Sequence, residues 1–523
     1  MTDETNTLTP PMHSVLGVGA DWLVDNAETY DRVLDALEKA ERSIRIAQLA
    51  FDFDCLAYAN GAAAVERSHD VVIAETLIAR ATVGGPEIQI LLNATWLLNT
   101  ARPLRKAFAR RGIAADRILV RGFNRFPHFM HAKLVLVDSD EAFLLGSPFV
   151  NSYWDDLRHV PFDARRPLRE LGGRPLHDVS VHLRGPVVHD LEAMFASVWR
   201  SADAGRAARR SREPRLAPVR AAANAPGTRI VCDAPNGVLP ELADGSMMML
   251  RELLDAIGRA RTFIYVEHQY LTSRPIVAAL AAALRREPEL EIIIVLNQNP
   301  DLTAYRGWQN ARLAEHGLLV HPRVGVFALW SVDEQPDRAG VARINQLFIH
   351  SKVIVIDDTW AAVGTSNLDG VSMGDYGDDF SGSLGRRIFR GVRNVEVNVV
   401  INAGDADSAH PTREDDLDAI RWLRERLWVE HIGDPGGERN GGRLAAWLSA
   451  ARLNVRSLAR GDRVVESSVR PLIGHVLPYS EHADPCDQLA DLGIRLDPNE
   501  LVLCYEPGWI EVHAAVHWIR NIF

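Results

Sequence analysis

The chain has 523 residues, of which 47% are hydrophobic and 24% are charged, and its net charge is −11 with a pI of about 5.9. A chain of this length can bury a large core and is expected to form two to four domains, and its charged fraction argues against general disorder. The acidic balance excludes a general polyanion-binding protein but is compatible with a local basic site.

The N-terminal stretch MTDETNTLTPPMHSVLG lacks both the basic and the apolar regions of a secretory signal. No apolar run approaches the ~20 residues needed to cross a bilayer. The four cysteines form no CxxC pair, so we expect neither a disulfide framework nor a zinc site built on thiolates; they are Cys55, Cys232, Cys486 and Cys504. A reducing, cytoplasmic location with only peripheral lipid contact fits these features best.

Four sequence features occur twice in the same order, which indicates an internal duplication. Each copy contains a helix-then-strand pattern, an apolar run, a His-x-Lys strand and a glycine-containing turn. They lie at residues 37–49, 86–93, 129–138 and 144–151 in the first copy, and at residues 252–268, 288–297, 348–357 and 362–367 in the second.

Two breaks in the pattern divide the chain. Residues 202–227 are rich in Ala, Arg and Pro and resemble a linker, with an exposed arginine-rich helix as an equal alternative for the first half. Residues 433–442 have loop composition. We therefore predict a first lobe at residues 1–215, a second at 216–433 and a C-terminal extension of unassigned role at 434–523. Alternating strands and helices predict α/β lobes with largely buried sheets.

The stretches FMHAKLVLVD and FIHSKVIVID share the pattern His, any residue, Lys, four residues, Asp. Together they hold two of the only four lysines in the chain. On a strand, His131 and Lys133 would project from one face, as would His350 and Lys352. An imidazole beside an ammonium suits phosphate chemistry, because the ammonium neutralises non-bridging oxygens while the imidazole attacks phosphorus or moves a proton. Two copies facing each other would supply both a nucleophile and an acid.

Asp138 and Asp357 complete the two patterns on the opposite face of each strand. We group them with the catalytic motif, although we expect them to brace the following turn rather than to contact a substrate. Three other histidines are expected to be structural or to lie at the rim of a site: His128, His177 and His182.

The two HxKxxxxD stretches, each followed by a Gly–Ser/Thr turn and an Asn, resemble the phospholipase D superfamily. The resemblance covers about residues 15–433 and includes the blocks at 177–200, 264–270 (IYVEHQY) and 427–433 (LWVEHIG). The last two are similar to blocks of the phospholipid-cleaving members. The resemblance implies a pseudo-twofold pair of α/β/α sandwich lobes with the active site between them. It also implies a ping-pong reaction through a covalent phosphohistidine, with no cofactor and no obligatory metal.

The resemblance also implies roles for individual residues. His131 would be the nucleophile, and this order rests on the family alone. His350 would protonate the leaving group and later activate water or an acceptor alcohol. Lys133 and Lys352 would bind the phosphoryl oxygens. Asn367, in GTSN, matches the asparagine of the family pattern.

Each catalytic histidine needs a carboxylate on its second ring nitrogen to fix the tautomer and stabilise the imidazolium. Asp178 lies 47 residues after His131 (178−131), and Glu396 lies 46 residues after His350 (396−350). This spacing predicts that each carboxylate serves the histidine of its own lobe. The alternative is that both are ordinary charges at the start of a strand.

Five further residues are candidate substrate-binding groups. Asn151 fits the family pattern less well, because GSPFVN is two residues longer than the usual turn, and Ser147 could share its role. Glu267, His268 and Gln269 end a predicted strand that could line the cleft. For His268, an interior polar group is an equal alternative.

We interpret the chain as a monomeric phospholipase D-type phosphodiesterase that hydrolyses glycerophospholipids or transfers their phosphatidyl group, with contact to a membrane surface. A nuclease is the alternative, and the acidic charge and lack of a basic, aromatic-interleaved stripe speak against nucleic acid. Cardiolipin-type synthesis is disfavoured because such enzymes usually carry N-terminal membrane helices. A binding protein on a retired catalytic fold is disfavoured because both motifs retain His and Lys.

Overall fold

The computed structural model describes eleven segments of the chain. They are residues 20–59, 69–96, 98–167, 173–202, 227–242, 244–333, 341–376, 391–404, 414–433, 442–459 and 472–504. The N-terminal segment considered for a signal, nearly all of the predicted linker and most of the predicted loop at 433–442 lie outside the described residues.

The first lobe is built on a seven-stranded sheet. Its strands and the short strands around it are β1 (Ala20–Val24), β2 (Ser43–Gln48), β3 (Leu56–Ala57), β4 (Val71–Val72), β5 (Glu87–Asn93), β6 (Ile118–Phe123), β7 (Phe129–Met130), β8 (Leu134–Val137), β9 (Glu141–Leu144), β10 (Leu176–His177) and β11 (Val179–Arg184). Its helices are α1 (Asn26–Lys39), α2 (Ile73–Arg80), α3 (Ala101–Arg110) and α4 (Val187–Ser201). The strand order is β1-β11-β9-β8-β2-β5-β6, with β2, β5 and β6 parallel.

The second lobe repeats this arrangement. Its strands are β12 (Gly227–Asp233), β13 (Phe263–His268), β14 (Glu291–Leu296), β15 (Val324–Val332), β16 (Ala342–Gln346), β17 (Phe348–Ile349), β18 (Lys352–Ile356), β19 (Trp360–Gly364) and β20 (Asn394–Asn402). Its helices are α5 (Met248–Arg259), α6 (Arg274–Arg286), α7 (Thr303–Glu315), α8 (Gly370–Met373) and α9 (Glu414–Ile432). The order β12-β20-β19-β18-β13-β14-β15 matches the first sheet strand for strand, which confirms the predicted duplicated α/β class.

The described part of the C-terminal extension packs onto the second lobe. It contains α10 (Arg443–Ala459), β21 (Val476–Pro478), α11 (Pro485–Asp491) and β22 (Leu501–Leu503). The strand β21 pairs with β15, and β22 pairs with β16, so both enlarge the second sheet. Trp447 of α10 is fully buried and contacts the rings of Trp428 and Phe327. The extension therefore belongs to the core of the second lobe.

Alternation along β8 sorts its side chains between two cores. Val135 and Val137 pack with α1, α2 and α3 in the outer core of the first lobe. Leu134 and Leu136 enter an inner core that also takes side chains from the second sheet, α4 and α9. The equivalent strand β18 divides its residues in the same way. Each sheet is thus covered on both faces, as a sheet with parallel strands requires.

Asp138 and Asp357 have the same structural task in the two lobes. The Asp138 carboxylate accepts backbone N–H groups from Glu41, Arg42 and Ser43 at 2.7, 2.6 and 2.8 Å. The Asp357 carboxylate accepts those of residues 261–263 at 2.7–2.8 Å. They brace the turn that enters the neighbouring strand, not the turn that follows their own. Grouping them with the catalytic residues was therefore wrong, because their oxygens are bound to backbone.

We expect Asp357→Ala to lower the free energy of unfolding by about 1–3 kcal/mol, because it leaves three backbone N–H groups without their acceptor. A urea titration followed by tryptophan fluorescence measures the change. Asp255→Ala is the matched control, since Asp255 is a half-exposed helical residue that pairs with Arg259 at 2.9 Å; its effect should stay within about 0.5 kcal/mol. Equal effects of the two variants would contradict the bracing role.

Candidate active site

The first motif strand is interrupted at its histidine. Residues 129–130 form β7, which pairs in parallel with β20 of the other lobe, while β8 pairs with β2 and β9 of its own lobe. At the break, the backbone N–H groups of His131 and Ala132 both donate to the carbonyl oxygen of Val395, at 3.1 and 2.8 Å. The expectation of one continuous strand was therefore wrong. The interruption places the backbone of His131 against β20 of the second lobe.

The second motif has the same interruption. Residues 348–349 form β17, which pairs in parallel with β10 of the first lobe, and β18 then continues in the second sheet. The backbone N–H of His350 donates to the carbonyl oxygen of His177 at 2.8 Å. Both motif histidines therefore stand where the two lobes meet.

Each histidine is held by a carboxylate from the opposite lobe. His131 Nδ1 lies 2.8 Å from Glu396 Oε2, and His350 Nδ1 lies 2.8 Å from Asp178 Oδ2. Both carboxylates proposed from the sequence bond a motif histidine, but pairing them within a lobe was wrong. The partners are exchanged because β7 joins the strand that carries Glu396, while β10 and the adjoining Asp178 join the strand that leads to His350.

Hydroxyl groups fix the orientation of both carboxylates. Ser147 donates to Asp178 Oδ2, and Thr365 donates to Glu396 Oε2 at 2.6 Å. Ser372 Oγ adds a bond of 2.9 Å to the other oxygen of Glu396. Ser147 therefore orients a carboxylate, in place of the predicted substrate contact. Thr365 and Ser372 were not predicted, although Thr365 occupies the Ser147 position of the second copy.

The glycines that precede Ser147 and Thr365 are required by close contact. A Cβ at Gly146 would lie 1.9 Å from Asp178 Oδ1, and a Cβ at Gly364 would lie 2.3 Å from Asn398 Oδ1. A side chain at either position would push the turn away from the strand that carries the carboxylate. This contact explains the Gly–Ser and Gly–Thr turns noted in the sequence.

The two motif lysines are buried close enough to affect each other. Burial and the charge of Lys352 lower the pKa of Lys133 to about 7. Burial lowers the pKa of Lys352 to about 8, with Asp178 and Glu396 opposing the shift. Each ammonium donates to the backbone carbonyl of its own motif histidine. The Lys352 charge therefore acts on Lys133 across the boundary between the lobes.

Both motif imidazoles are biased toward the neutral form. Burial lowers the pKa of His131, with Glu396 opposing and Lys133 adding to the shift. Burial and the Lys352 ammonium lower the pKa of His350 to about 3. Because Nδ1 of each ring is bound to a carboxylate, Nε2 carries the lone pair. An anionic ligand beside the lysines would favour protonation of either ring.

The remaining predicted substrate ligands have mixed outcomes. Asn367 is buried, and its side-chain oxygen has no hydrogen-bond partner among the described residues. The Asn151 side chain instead bonds the Leu56 amide at 3.1 Å and the Asp54 carboxylate at 3.2 Å. Gln269 is bound to the Tyr270 hydroxyl at 2.8 Å. Both side chains serve the local structure, and their contact with a substrate stays a prediction.

Glu267 and His268 point to opposite sides of β13. Glu267 is fully buried, accepts the Ser351 hydroxyl and lies 2.8 Å from His431 Nε2, so it supports the site from behind. His268 lines a small cavity with Lys352 and Asn398. Burial and the nearby Lys352 charge lower the pKa of His268 to about 3. His268 thus adjoins the second lysine, whereas the predicted substrate contact of Glu267 was wrong.

The three histidines expected to be structural or at the rim of a site each make polar contacts within the protein. His128 Nδ1 is 3.2 Å from the carbonyl oxygen of Arg393. His182 Nε2 is 2.7 Å from Glu141 Oε2, and its ring stacks on Phe143 with centroids 4.2 Å apart. His177 belongs to a buried group of histidines and carboxylates.

A duplicated α/β/α architecture whose halves exchange strands at two His–Lys motifs defines the phospholipase D class of folds. The family described as "Cardiolipin synthase, PLD-like domain" matches residues 253–414. Cardiolipin synthase A of Pseudomonas putida is 25% identical over 353 residues, covering 66% of this chain and 61% of its own length. Cardiolipin synthase A of Pseudomonas entomophila is 27% identical over 252 residues, covering 47% and 43%.

A solved structure, the phosphatidylserine synthase of Haemophilus influenzae, superposes with a TM-score of 0.51 at 12% identity, over 79% of this chain and 86% of that one. The matched family model and the curated relatives support membership of the phospholipase D superfamily. It spans about 40–60% of the length of the two curated relatives above. In the described part of the chain, no helix has the length and apolar character that a membrane crossing requires.

The lysine pKa values predict proton-linked oxyanion binding. At pH 8 the free protein holds Lys133 largely deprotonated, since its pKa is about 7. A bound tungstate ion favours the ammonium, so we expect uptake of about one proton per ion at pH 8 and weaker binding as the pH rises further. Calorimetry in buffers of different ionisation enthalpy measures the uptake.

Lys133→Met should abolish most of this proton uptake. Lys106→Met, which changes an exposed lysine of α3, is the matched control and should leave it unaltered. Binding that is independent of pH and takes up no proton would contradict the assignment of the lysines to the anion site.

Proposed function

We propose that the protein transfers the phosphatidyl group of a glycerophospholipid to an alcohol through a covalent phosphohistidine. The observation that carries this proposal is the pair of motif histidines, His350 buried and His131 with a 14% exposed side chain, each oriented through Nδ1 by a carboxylate of the other lobe and each accompanied by a buried lysine. Such an arrangement offers one nucleophile, one proton donor and two oxyanion-binding cations.

In the first half of the reaction, His131 Nε2 attacks phosphorus and the bond to the departing alcohol breaks. The departing oxygen takes its proton from His350 Nε2, which is protonated when the anionic substrate enters. Lys133 and Lys352 hold the non-bridging oxygens. Glu396 stabilises the positive charge that develops on the His131 ring as the P–N bond forms.

In the second half, the incoming hydroxyl group gives its proton to the now neutral His350 ring and attacks the phosphorus of phosphohistidine. The P–N bond breaks, and His131 returns to its neutral form. Water in place of the alcohol gives hydrolysis by the same steps. We favour an alcohol as acceptor, because the relatives above are named as synthases and not as hydrolases.

The relatives also support a lipid substrate over nucleic acid. The sequence analysis disfavoured cardiolipin-type synthesis because it found no membrane helix near the N-terminus. The chain spans only part of these relatives, so the lack of such a helix does not count against cardiolipin-type synthesis. We therefore propose synthesis of a phosphatidyl-alcohol product, with cardiolipin among the candidates.

An exposed aromatic pair supports contact with a membrane surface. Trp96 is 72% exposed and Phe126 is 41% exposed, and their ring centroids are 5.4 Å apart. Phe126 lies three residues before β7, and Trp96 lies three residues after Asn93, whose side chain bonds the carbonyl oxygen of Met130 at 2.9 Å. The pair therefore stands beside the strand that leads to His131. Aromatic rings at such a position suit the lipid–water interface.

We expect the protein to form phosphatidylethanol from phosphatidylcholine in dilute ethanol, and to convert phosphatidylglycerol vesicles to a diphosphatidyl product. His131→Ala should lower both rates by roughly 10³-fold or more, because the nucleophile is lost. His189→Ala, at a 73% exposed side chain, is the control and should be fully active. Cleavage of single- or double-stranded DNA with no lipid turnover would replace this proposal with a nuclease.

Because each carboxylate bonds the histidine of the other lobe, this pairing predicts which carboxylate variant should behave like which histidine variant. With a phosphodiester that has a good leaving group, His350→Ala should still accumulate phosphorylated protein, and His131→Ala should not. Asp178→Asn should then behave like His350→Ala, and Glu396→Gln like His131→Ala, each with a loss on the order of 10²–10⁴-fold. Phosphoprotein trapped by rapid acid quench gives the readout. If Asp178→Asn resembled His131→Ala, the pairing would not be the one that operates in the reaction.

A further inference from the structure

A buried cluster of histidines and carboxylates lies behind the second motif. Its members come from both lobes and from separate elements: Asp25, Asp155, His159, His177, Glu267, Glu430 and His431. All are at most 7% exposed. None takes part in the proposed reaction.

Four of these residues form a closed ring of alternating nitrogen and oxygen atoms. His177 Nδ1 lies 2.8 Å from Glu430 Oε1 and 3.1 Å from Asp25 Oδ1. His159 Nε2 lies 3.1 Å from Glu430 Oε1 and 3.3 Å from Asp25 Oδ2. Ligand atoms at 2.0–2.1 Å from a tetrahedral zinc ion are separated by about 3.3 Å, so the ring has the dimensions of such a ligand set.

Hydrogen bonds account for only part of these contacts. His159 Nε2 and His177 Nδ1 each face two carboxylate groups, and one N–H can point directly at only one of them. Asp25 Oδ2 and Glu430 Oε2 are buried and have no hydrogen-bond partner among the described residues. Unpaired carboxylate oxygens are costly in a protein interior. A cation inside the ring would satisfy them.

The charge of the cluster is also incomplete. It contains four carboxylates, and within the described part of the chain Arg166 is the only Arg or Lys that forms an ion pair with them, at 2.6 Å from Asp155. Buried anions require compensating positive charge. A divalent cation supplies two charges at the point where the Asp25 and Glu430 carboxylates meet.

The two histidines also have the outer contacts typical of metal ligands. The other ring nitrogen of His159, Nδ1, lies 3.1 Å from Asp155 Oδ2, which also accepts the Leu176 amide. The other ring nitrogen of His177, Nε2, lies 3.0 Å from Glu267 Oε1 but without hydrogen-bond geometry. The carboxylate behind His159 fixes the tautomer of that ring and directs Nε2 to a metal.

We propose that Asp25, His159, His177 and Glu430 bind a structural divalent transition-metal ion, for which zinc is the best fit. Two imidazoles and two carboxylates form a closed four-ligand set, as expected of a structural site with no position for a substrate. Glu430 belongs to α9 of the second lobe and the other three ligands to the first, so the ion joins the lobes. It lies beside the pairing of β10 with β17, which positions His350.

The test uses the full-length, untagged protein, stripped with a chelator and dialysed against Zn²⁺ or Co²⁺. We expect about one ion per chain, and a Co²⁺ visible spectrum of the intensity typical of tetrahedral coordination. Added Zn²⁺ should raise the melting temperature of the stripped protein. Absence of stoichiometric binding in the wild-type protein would overturn the proposal and leave protonated imidazoles as the compensating charges.

Two variants locate the ion. Glu430→Gln keeps the side-chain size and His159→Gln removes an imidazole; both should lose the Co²⁺ spectrum and the thermal response to Zn²⁺. His182→Gln is the matched control, since it changes a buried histidine paired with Glu141 outside the cluster, and it should bind the ion normally. Circular dichroism confirms that each variant is folded. Retention of the Co²⁺ spectrum in a folded Glu430→Gln protein would place the ion elsewhere and overturn the assignment.

Discussion

Two short parallel strand pairings between the lobes determine the geometry of the site. β7 pairs with β20, and β10 pairs with β17. In each motif, the two residues before the histidine are therefore paired with the other lobe, and the chain then continues as a strand of its own sheet. The histidine stands between these two stretches, where its backbone amide is bound to the other lobe. Because the carboxylates sit on the receiving strands, neither His–carboxylate pair can form within one lobe. Correct docking of the two lobes is therefore a condition for the site.

The site concentrates charge in a buried region. Lys133, Lys352, Asp178 and Glu396 are all at most 2% exposed, and the two ammonium groups are balanced by the two carboxylates. Burial of ions is costly unless they are paired and held by hydrogen bonds. Here hydroxyl groups, glycine turns and backbone carbonyls hold them in place before a ligand arrives. Such preorganised charge is suited to a transferring phosphoryl group.

The two lobes differ in the residues that lie behind the two motif histidines. β2 and β13 occupy equivalent positions in the two sheets, with Ile44 opposite Val137 and Ile264 opposite Ile356. In this alignment the second lobe has Glu267 and Ser351 where the first has Ala47 and Ala132. The second histidine thus rests on a charged cluster and the first on an apolar core. This difference gives a physical basis for unequal roles of the two histidines.

The sequence alone determined the duplication and the α/β class, because these depend on periodicity and on the repeated order of the motifs. Spacing and the unusual pairing of His with rare Lys also singled out the four motif residues and the two carboxylates as candidate site residues. Tertiary structure alone decided which carboxylate serves which histidine, because strand exchange between lobes leaves no local signal. It also assigned Asn151, Asp138 and Asp357 to bracing, and it gathered Glu430 and His159 around His177. These residues are distant in sequence, so only docking of the lobes brings their charges together.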